Sequence, residues 1–364
     1  MFEPTTLIRD HIEAMEAYQP IYPFEVLSER LGRRPEEIIK LDANENPYGP
    51  DPVVLDALSR MTSTHIYPDP ESTLLRKALA RYTGIPFENI LAGAGADELI
   101  DLIMRLFLDP GDNILNCPPT FGMYAFDAGV HNASVFNVPR RTDFSVDQPA
   151  IEAEIEKTNA KLLFLCSPNN PDGGLISKET LHRLLEFPIV IVLDEAYIEF
   201  APEGSSRLKD VLKHKNLIVL RTFSKWAGLA GLRVGYGVFP SDLMPYLWKI
   251  KQPYNVSFAG AAAALASLDR IFDRKEIGYK LIAERERLYE SLGQISFLEP
   301  YPSKANFILC RVVDRDASEL KERLSRAGIL VRFFDKPGLR DHIRISVGKP
   351  EHTDALLAAL EDLE

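Results

Sequence analysis

PIVIVLD, residues 188–194, is apolar for six positions and then acidic. With no polar residue at alternate positions, Pro188–Leu193 reads as a strand buried on both faces, the habit of parallel sheets covered by helices. Its carboxyl end delivers Asp194, and ligands of open α/β sheets bind at that edge. Leu162–Cys166 repeats the pattern and breaks into SPNNPDGG, a polar turn that presents Asn169 and Asn170. A third apolar run, Leu217–Leu220, leads into TFSKWAGLAGLRVGYG, Thr222–Gly237, whose glycines let the backbone turn tightly. Lys225 and Arg233 lie in this segment. A desolvated lysine is a neutral nucleophile able to bond an aldehyde, and a phosphate-bearing cofactor needs a fixed cation nearby. The same residues fit two plainer readings, a solvated lysine at a loop end and an aspartate capping the loop after a strand. GAGADE, Gly93–Glu98, opens an amphipathic helix carrying Leu99, Leu102, Ile103 and Leu106, and its first amides are free to meet an anion. It is not a dinucleotide fingerprint, because Glu98 stands where a third glycine is required.

The chain has 364 residues, 46% of them hydrophobic and 26% charged, enough to bury a sizeable core and more than one core usually organises. Its net charge of −11 argues against a general affinity for nucleic acid or anionic membrane, so any anionic substrate must be selected by local cations. Cys117, Cys166 and Cys310 are far apart, with no metal-ligand spacing, which points to reduced thiols in a cytoplasmic protein and to no bound metal. The opening MFEPTTLIRDHIEAM mixes charges of both signs and lacks the apolar core of a secretory signal or membrane span.

Three regions are expected. Residues 1–40 read as an arm, a short amphipathic helix with Leu7, Ile8, Ile12 and Met15 on one side and then the proline-punctuated AYQPIYPF, that joins the smaller domain. Residues 41–256 alternate apolar strands with helices, the pattern of a mostly parallel sheet covered on both faces. Residues 257–364 form a smaller α+β domain. There a helical stretch through Leu281, Leu288 and Leu292 stops at Gly293, strand-like NFILCRV follows, and Asp316 with Glu319 reads as a capping box.

The order GAGADE, PPTFGMY, SPNNP, DEAYIEF, FSK and GLR resembles the pyridoxal-phosphate aminotransferases of fold type I, class II. LDANENPYGP (Leu41–Pro50) and YPDPE (Tyr67–Glu71) are similar to their histidinol-phosphate aminotransferase branch. The likeness runs from about Tyr18 to Arg344. It implies a cytoplasmic homodimer that exchanges an amino group between L-histidinol phosphate and 2-oxoglutarate, giving imidazole-acetol phosphate and glutamate. An aromatic amino-acid aminotransferase and an amino-acid phosphate decarboxylase are the alternatives on the same scaffold.

By the same resemblance, Lys225 holds the aldehyde carbon of pyridoxal 5'-phosphate and later moves the α-proton. Asp194 faces the pyridine nitrogen, Tyr197 and Asn170 donate to the ring's phenolic oxygen, and Phe121 stacks on the ring. The amides of Ala96 and Asp97, the hydroxyl of Ser224 and the guanidinium of Arg233 take the cofactor phosphate, and Tyr67 reaches the partner's. Arg344 meets the substrate carboxylate, and Arg332 with Tyr18 grips the substrate phosphate. Surface salt bridging is the plainer reading of both arginines. Two positions depart from the family pattern: Phe121, where tyrosine is frequent, and Asp172, where threonine is usual.

Overall fold

The computed structural model describes residues 2–18, 20–270 and 276–363. Twelve strands are found among them: β1 (Ile39–Leu41), β2 (Ile90–Gly93), β3 (Asn113–Asn116), β4 (Ser134–Asn137), β5 (Leu162–Cys166), β6 (Val190–Asp194), β7 (Leu217–Thr222), β8 (Gly235–Val238), β9 (Leu298–Pro300), β10 (Phe307–Val312), β11 (Ile329–Phe333) and β12 (His342–Ser346). Seven form one sheet in the order β2-β8-β7-β6-β5-β3-β4, and the other five form a second in the order β1-β11-β12-β10-β9. In the first sheet β4, β3, β5, β6 and β7 run parallel, while β8 is antiparallel to both its neighbours.

Side chains along the central strands alternate between two buried clusters. Phe164, Val192, Ile218 and Leu220 belong to one, whereas Leu163, Leu165, Ile191, Leu193 and Val219 belong to the other. Both faces of the sheet are therefore covered, and this is why the strands carry unbroken apolar runs in place of alternation. Helix Ala96–Phe107 covers the first face with Leu99, Ile100, Ile103 and Met104, all fully buried. Each such side chain contributes roughly 1.5–3 kcal/mol of hydrophobic stabilisation. The same cluster continues through Leu281, Leu288 and Leu292 of helix Glu276–Leu292 to Phe307, Ile308, Ile343 and Ile345 of the second sheet. One continuous core thus holds the second sheet beside the carboxyl ends of the first.

Local signals act as expected at several helix ends. The Asp316 carboxylate accepts from the Glu319 amide at 2.7 Å, although the Glu319 carboxylate turns to Arg323 and leaves the capping box half made. Gly84 closes helix Thr73–Thr83 with φ at +70°. The arm differs from its sequence reading. A 3-10 turn, Pro4–Leu7, and a four-residue helix, Asp10–Glu13, replace a single amphipathic helix, and Leu7 is 76% exposed. Four residues are too few for a continuous apolar stripe. Further along, β1 pairs in parallel with β11, so Ile39 stands opposite Ile329. Among the described residues, no helix is long and apolar enough to cross a membrane.

Two loops meet near the end of β7. Gly228, at φ +69°, lies so close to the segment before helix Pro52–Ser59 that a Cβ there would fall 2.6 Å from the Gly49 carbonyl carbon and 2.8 Å from the Pro50 nitrogen. Both partners are backbone and cannot rotate away. Gly228→Ala is expected to cost about 2 kcal/mol or more through strain and displacement of one loop. A lowered urea midpoint with an unchanged m-value checks this.

Candidate active site

The carboxyl ends of β5, β6 and β7 and strand β12 converge on a polar, mostly buried region, and the start of helix Ala96–Phe107 places the more exposed Asp97–Arg233 pair at the helix end. Lys225 follows β7 and donates from Nζ to the Ala43 carbonyl at 3.2 Å. Its Nζ lies 5.9 Å from the centroid of the Tyr197 ring. Burial, followed by the charge of Arg344, pulls its pKa down to about 8, so a useful fraction of the amine is neutral near physiological pH. The Tyr197 hydroxyl accepts from Asn44 Nδ2 at 3.2 Å and from Asn170 Nδ2 at 3.5 Å. Asn170 Oδ1 in turn accepts from Arg344 NH1 at 2.6 Å, and the Asp42 carbonyl accepts from NH2 at 2.6 Å. Arg344 Nε is buried without a partner among the described residues, which leaves one donor free for a ligand.

Asp194 closes β6 fully buried. It accepts from the Tyr124 hydroxyl at 2.7 Å and from the Ala196 amide at 3.0 Å, and burial raises its pKa to about 6. Tyr124 is a site residue that the sequence reading passed over. In helix Met123–Val130 it looks like an ordinary core aromatic, stacked on Phe164 with centroids 5.0 Å apart, and only the tertiary fold brings its hydroxyl to the carboxylate. Phe121, half-buried, meets the Tyr124 ring edge-on at 5.5 Å.

The remaining anchors gather at the helix N-terminus. Ala96 is buried there, and the Asp97 carboxylate accepts from Arg233 NH2 at 2.7 Å. Ser224 Oγ and Thr222 Oγ1 are 2.9 Å apart and buried. Gly95, at φ +86°, has Arg233 NH2 only 2.7 Å from the place a Cβ would take, so a side chain would expel the guanidinium. Asp172, the departure from threonine, is buried and staples its own turn by accepting from the Asn169 side chain and from the Gly174 amide at 2.8 Å.

Arg332 and Arg344 are directly opposed on β11 and β12, and burial, helped by the charge of Arg332, pulls the pKa of Arg344 down to about 10. Like charges across a strand pair are destabilising unless an anion lies between them. Tyr18 contacts the edge of Phe126 at 5.9 Å, and its electrostatic influence reaches Arg344. Tyr67 is set apart from these residues: it is 80% exposed and stacks on Tyr254 at 4.7 Å.

The donor set fits pyridoxal phosphate. A half-buried amine with a lowered pKa, a buried carboxylate, an unpartnered arginine Nε, and a cation cradled by Gly95 at a helix N-terminus match an aldehyde, a ring nitrogen, an acidic substrate and a phosphate respectively.

Comparison with known proteins adds an independent line. Residues 36–360 match the family model for aminotransferase class I and II. The chain is 56% identical over 355 residues to a chloroplastic histidinol-phosphate aminotransferase of Nicotiana plumbaginifolia, covering 97% of this chain and 86% of that one. A histidinol-phosphate aminotransferase of Roseiflexus castenholzii is 52% identical, with 99% and 98% covered. Among solved structures, the histidinol-phosphate aminotransferase of Sinorhizobium meliloti in complex with pyridoxal-5'-phosphate superposes with a TM-score of 0.88 at 30% identity, covering 99% of each chain.

The raised pKa of Asp194 carries a stability consequence for the cofactor-free protein. The folded state holds this proton more tightly than an unfolded chain, whose carboxyl titrates near 3.8, so the cost is absent below pH 4 and complete above pH 6. The cofactor-free protein is expected to lose about 3 kcal/mol across that window from this group, and Asp194→Asn to lose that part of the slope. Denaturant titrations from pH 4 to 7 on both proteins measure the difference.

Proposed function

Because the chain belongs to the class I and II aminotransferases, and within them to the histidinol-phosphate aminotransferases, we propose that it transfers the amino group of L-histidinol phosphate to 2-oxoglutarate with pyridoxal 5'-phosphate as cofactor. The products are imidazole-acetol phosphate and glutamate, a step of histidine biosynthesis. The observation that carries the reading is the placement of half-buried Lys225, its Nζ 5.9 Å from the Tyr197 ring, beside the hydrogen-bonded set of Tyr197, Asn170 and Arg344. The aromatic aminotransferase and phosphate-decarboxylase alternatives are set aside, since relatives at 45–56% identity over most of the chain carry the histidinol-phosphate aminotransferase name.

Pyridoxal phosphate supplies an aldehyde that takes up the amino group and a ring that stores the electron pair released when the Cα–H bond breaks. Lys225 would hold the aldehyde and, once displaced by the substrate amine, move the α-proton with its Nζ. Asp194 would keep a positive charge on the ring nitrogen, and Tyr124 fixes the carboxylate for that task. Tyr197 and Asn170 would donate to the phenolic oxygen, and Phe121 would cover one face. The amides of Ala96 and Asp97, Ser224 and Arg233 would hold the cofactor phosphate, for which Arg233 exchanges its bond to Asp97. Arg344 would fork onto the glutamate carboxylate, while Arg332 and Tyr18 would take the substrate phosphate.

The proposal includes a homodimer in the cytoplasm. The exposure of Tyr67, with Ile66 and Leu74 also exposed nearby in sequence, supports a subunit contact through which Tyr67 serves the partner's site. Three free, buried cysteines support a reducing compartment.

Two substitutions test the assignment. Lys225→Ala is expected to abolish the near-visible absorbance of the cofactor-loaded protein and to lower turnover by roughly 10³-fold or more, and a variant that stays yellow and active would defeat the reading. Arg332→Gln is expected to lower kcat/KM for histidinol phosphate by about tenfold to a hundredfold, the worth of one charge-assisted contact, with glutamate changed by less than about threefold. Steady-state assays on both substrates, with phenylalanine as competitor, show whether the phosphate is what the site prefers.

A further inference from the structure

β6 and β7 present a second polar cluster on their opposite face. Glu195 and Arg221 share strand parity with Leu193 and Val219, so they point away from Asp194. Arg221 Nε and NH2 donate to Glu195 Oε2 at 3.0 and 2.9 Å, and NH2 also donates to Ser206 Oγ at 2.6 Å. That pair is electrically complete. Glu199 adds another carboxylate, whose ion-pair distance to the same Arg221 is 3.6 Å, and neither of its oxygens has a hydrogen-bond partner among the described residues. Two carboxylates therefore share one guanidinium, and a negative charge is left over on a side chain only 13% exposed. Burial of such a charge is tolerated only if a proton or another cation compensates it. Burial raises the Glu199 pKa to about 7, so the proton alone leaves the carboxylate partly ionised at physiological pH.

A cavity of about 480 Å³ opens beside this carboxylate, within the size range of small-molecule sites. Tyr82, Phe200, Trp226 and Tyr279 supply aromatic walls, and the Trp226 indole N–H is buried with no acceptor among the described residues. Lys225, Asp194, Asn170 and Arg233 do not line it, so it is separate from the cofactor site. Glu203 on its wall makes the surroundings more acidic still, which disfavours an anion. A carboxylate flanked by aromatic faces is the chemistry that recognises an organic cation, and a free indole donor asks for a hydroxyl or carbonyl on the same molecule.

We propose that this cavity is a second ligand site, for a small organic ammonium compound whose charge faces Glu199 and whose oxygen accepts from Trp226. Choline is a suitable probe, because it carries both groups and no N–H with which to attack the cofactor's aldehyde. Calorimetric titration of the cofactor-loaded protein is expected to show saturable binding of one choline per chain. Its uncharged isostere, 3,3-dimethylbutan-1-ol, should bind at least about tenfold more weakly, and Glu199→Gln should weaken choline by a similar factor. Tyr279→Ala, at a position 60% exposed where the fold is not at risk, should weaken it severalfold. Saturating histidinol phosphate should leave choline binding unchanged, since the two sites are separate. The proposal is overturned by absent or non-saturating heat, by equal affinity for the uncharged isostere, by loss of choline on adding histidinol phosphate, or by unchanged affinity in both variants. Should Glu199→Gln not fold, the isostere ratio and Tyr279→Ala decide alone.

Discussion

Two cations, half-buried Lys225 and buried Arg344, share one seam between the sheets, and the candidate site depends on the fold holding them there. Burial is the largest influence on each, and the charge of Arg344 further loosens the proton on Lys225. A lysine at the surface would remain an inert ammonium at neutral pH; this one is poised near its titration point. Arg344 can occupy the seam only because Asn170 and the Asp42 carbonyl accept from it, and those acceptors come from the first sheet and from the segment after β1. Docking of the second sheet and tuning of the amine are consequently one event.

The opposite end of the site obeys the reverse logic. Asp194 is a carboxylate whose burial favours the neutral form, held at about 6 by two donors. A positively charged ring nitrogen beside it would relieve that cost, so the cofactor-free state is the strained one. Stability is given up at this position, and a cofactor held there as proposed would restore it, a common pattern at functional sites.

Legibility from sequence divides along physical lines. β5, β6 and β7 were readable because burial on both faces removes alternation and leaves apolar runs, and Asp194 and Lys225 fall where such runs stop. Helix ends at Asp316 and Gly84 were readable because capping is local chemistry. Tyr124 was not, since an aromatic on an amphipathic helix looks like packing until its hydroxyl is placed. The opposition of Arg332 and Arg344 depends on strand register, and the charge surplus at Glu199 depends on a pairing between two strands; neither leaves a mark in local sequence. The arm misled because Leu7, Ile8, Ile12 and Met15 have helical spacing, whereas the helix that forms there is too short to use it.

The pairing of β1 with β11 imposes an order on biogenesis. Ile39 must await Ile329, so the second sheet cannot close until almost the entire polypeptide has left the ribosome. The strands of the first sheet are complete at Val238, and Asp194, Lys225 and Arg233 all emerge before that point, whereas helices Phe258–Arg270 and Glu276–Leu292, which help cover its two faces, come later. The strands that carry Asp194 and lead to Lys225 are therefore translated well before Arg332 and Arg344, so a nascent chain keeps its lysine untuned until the last strands arrive.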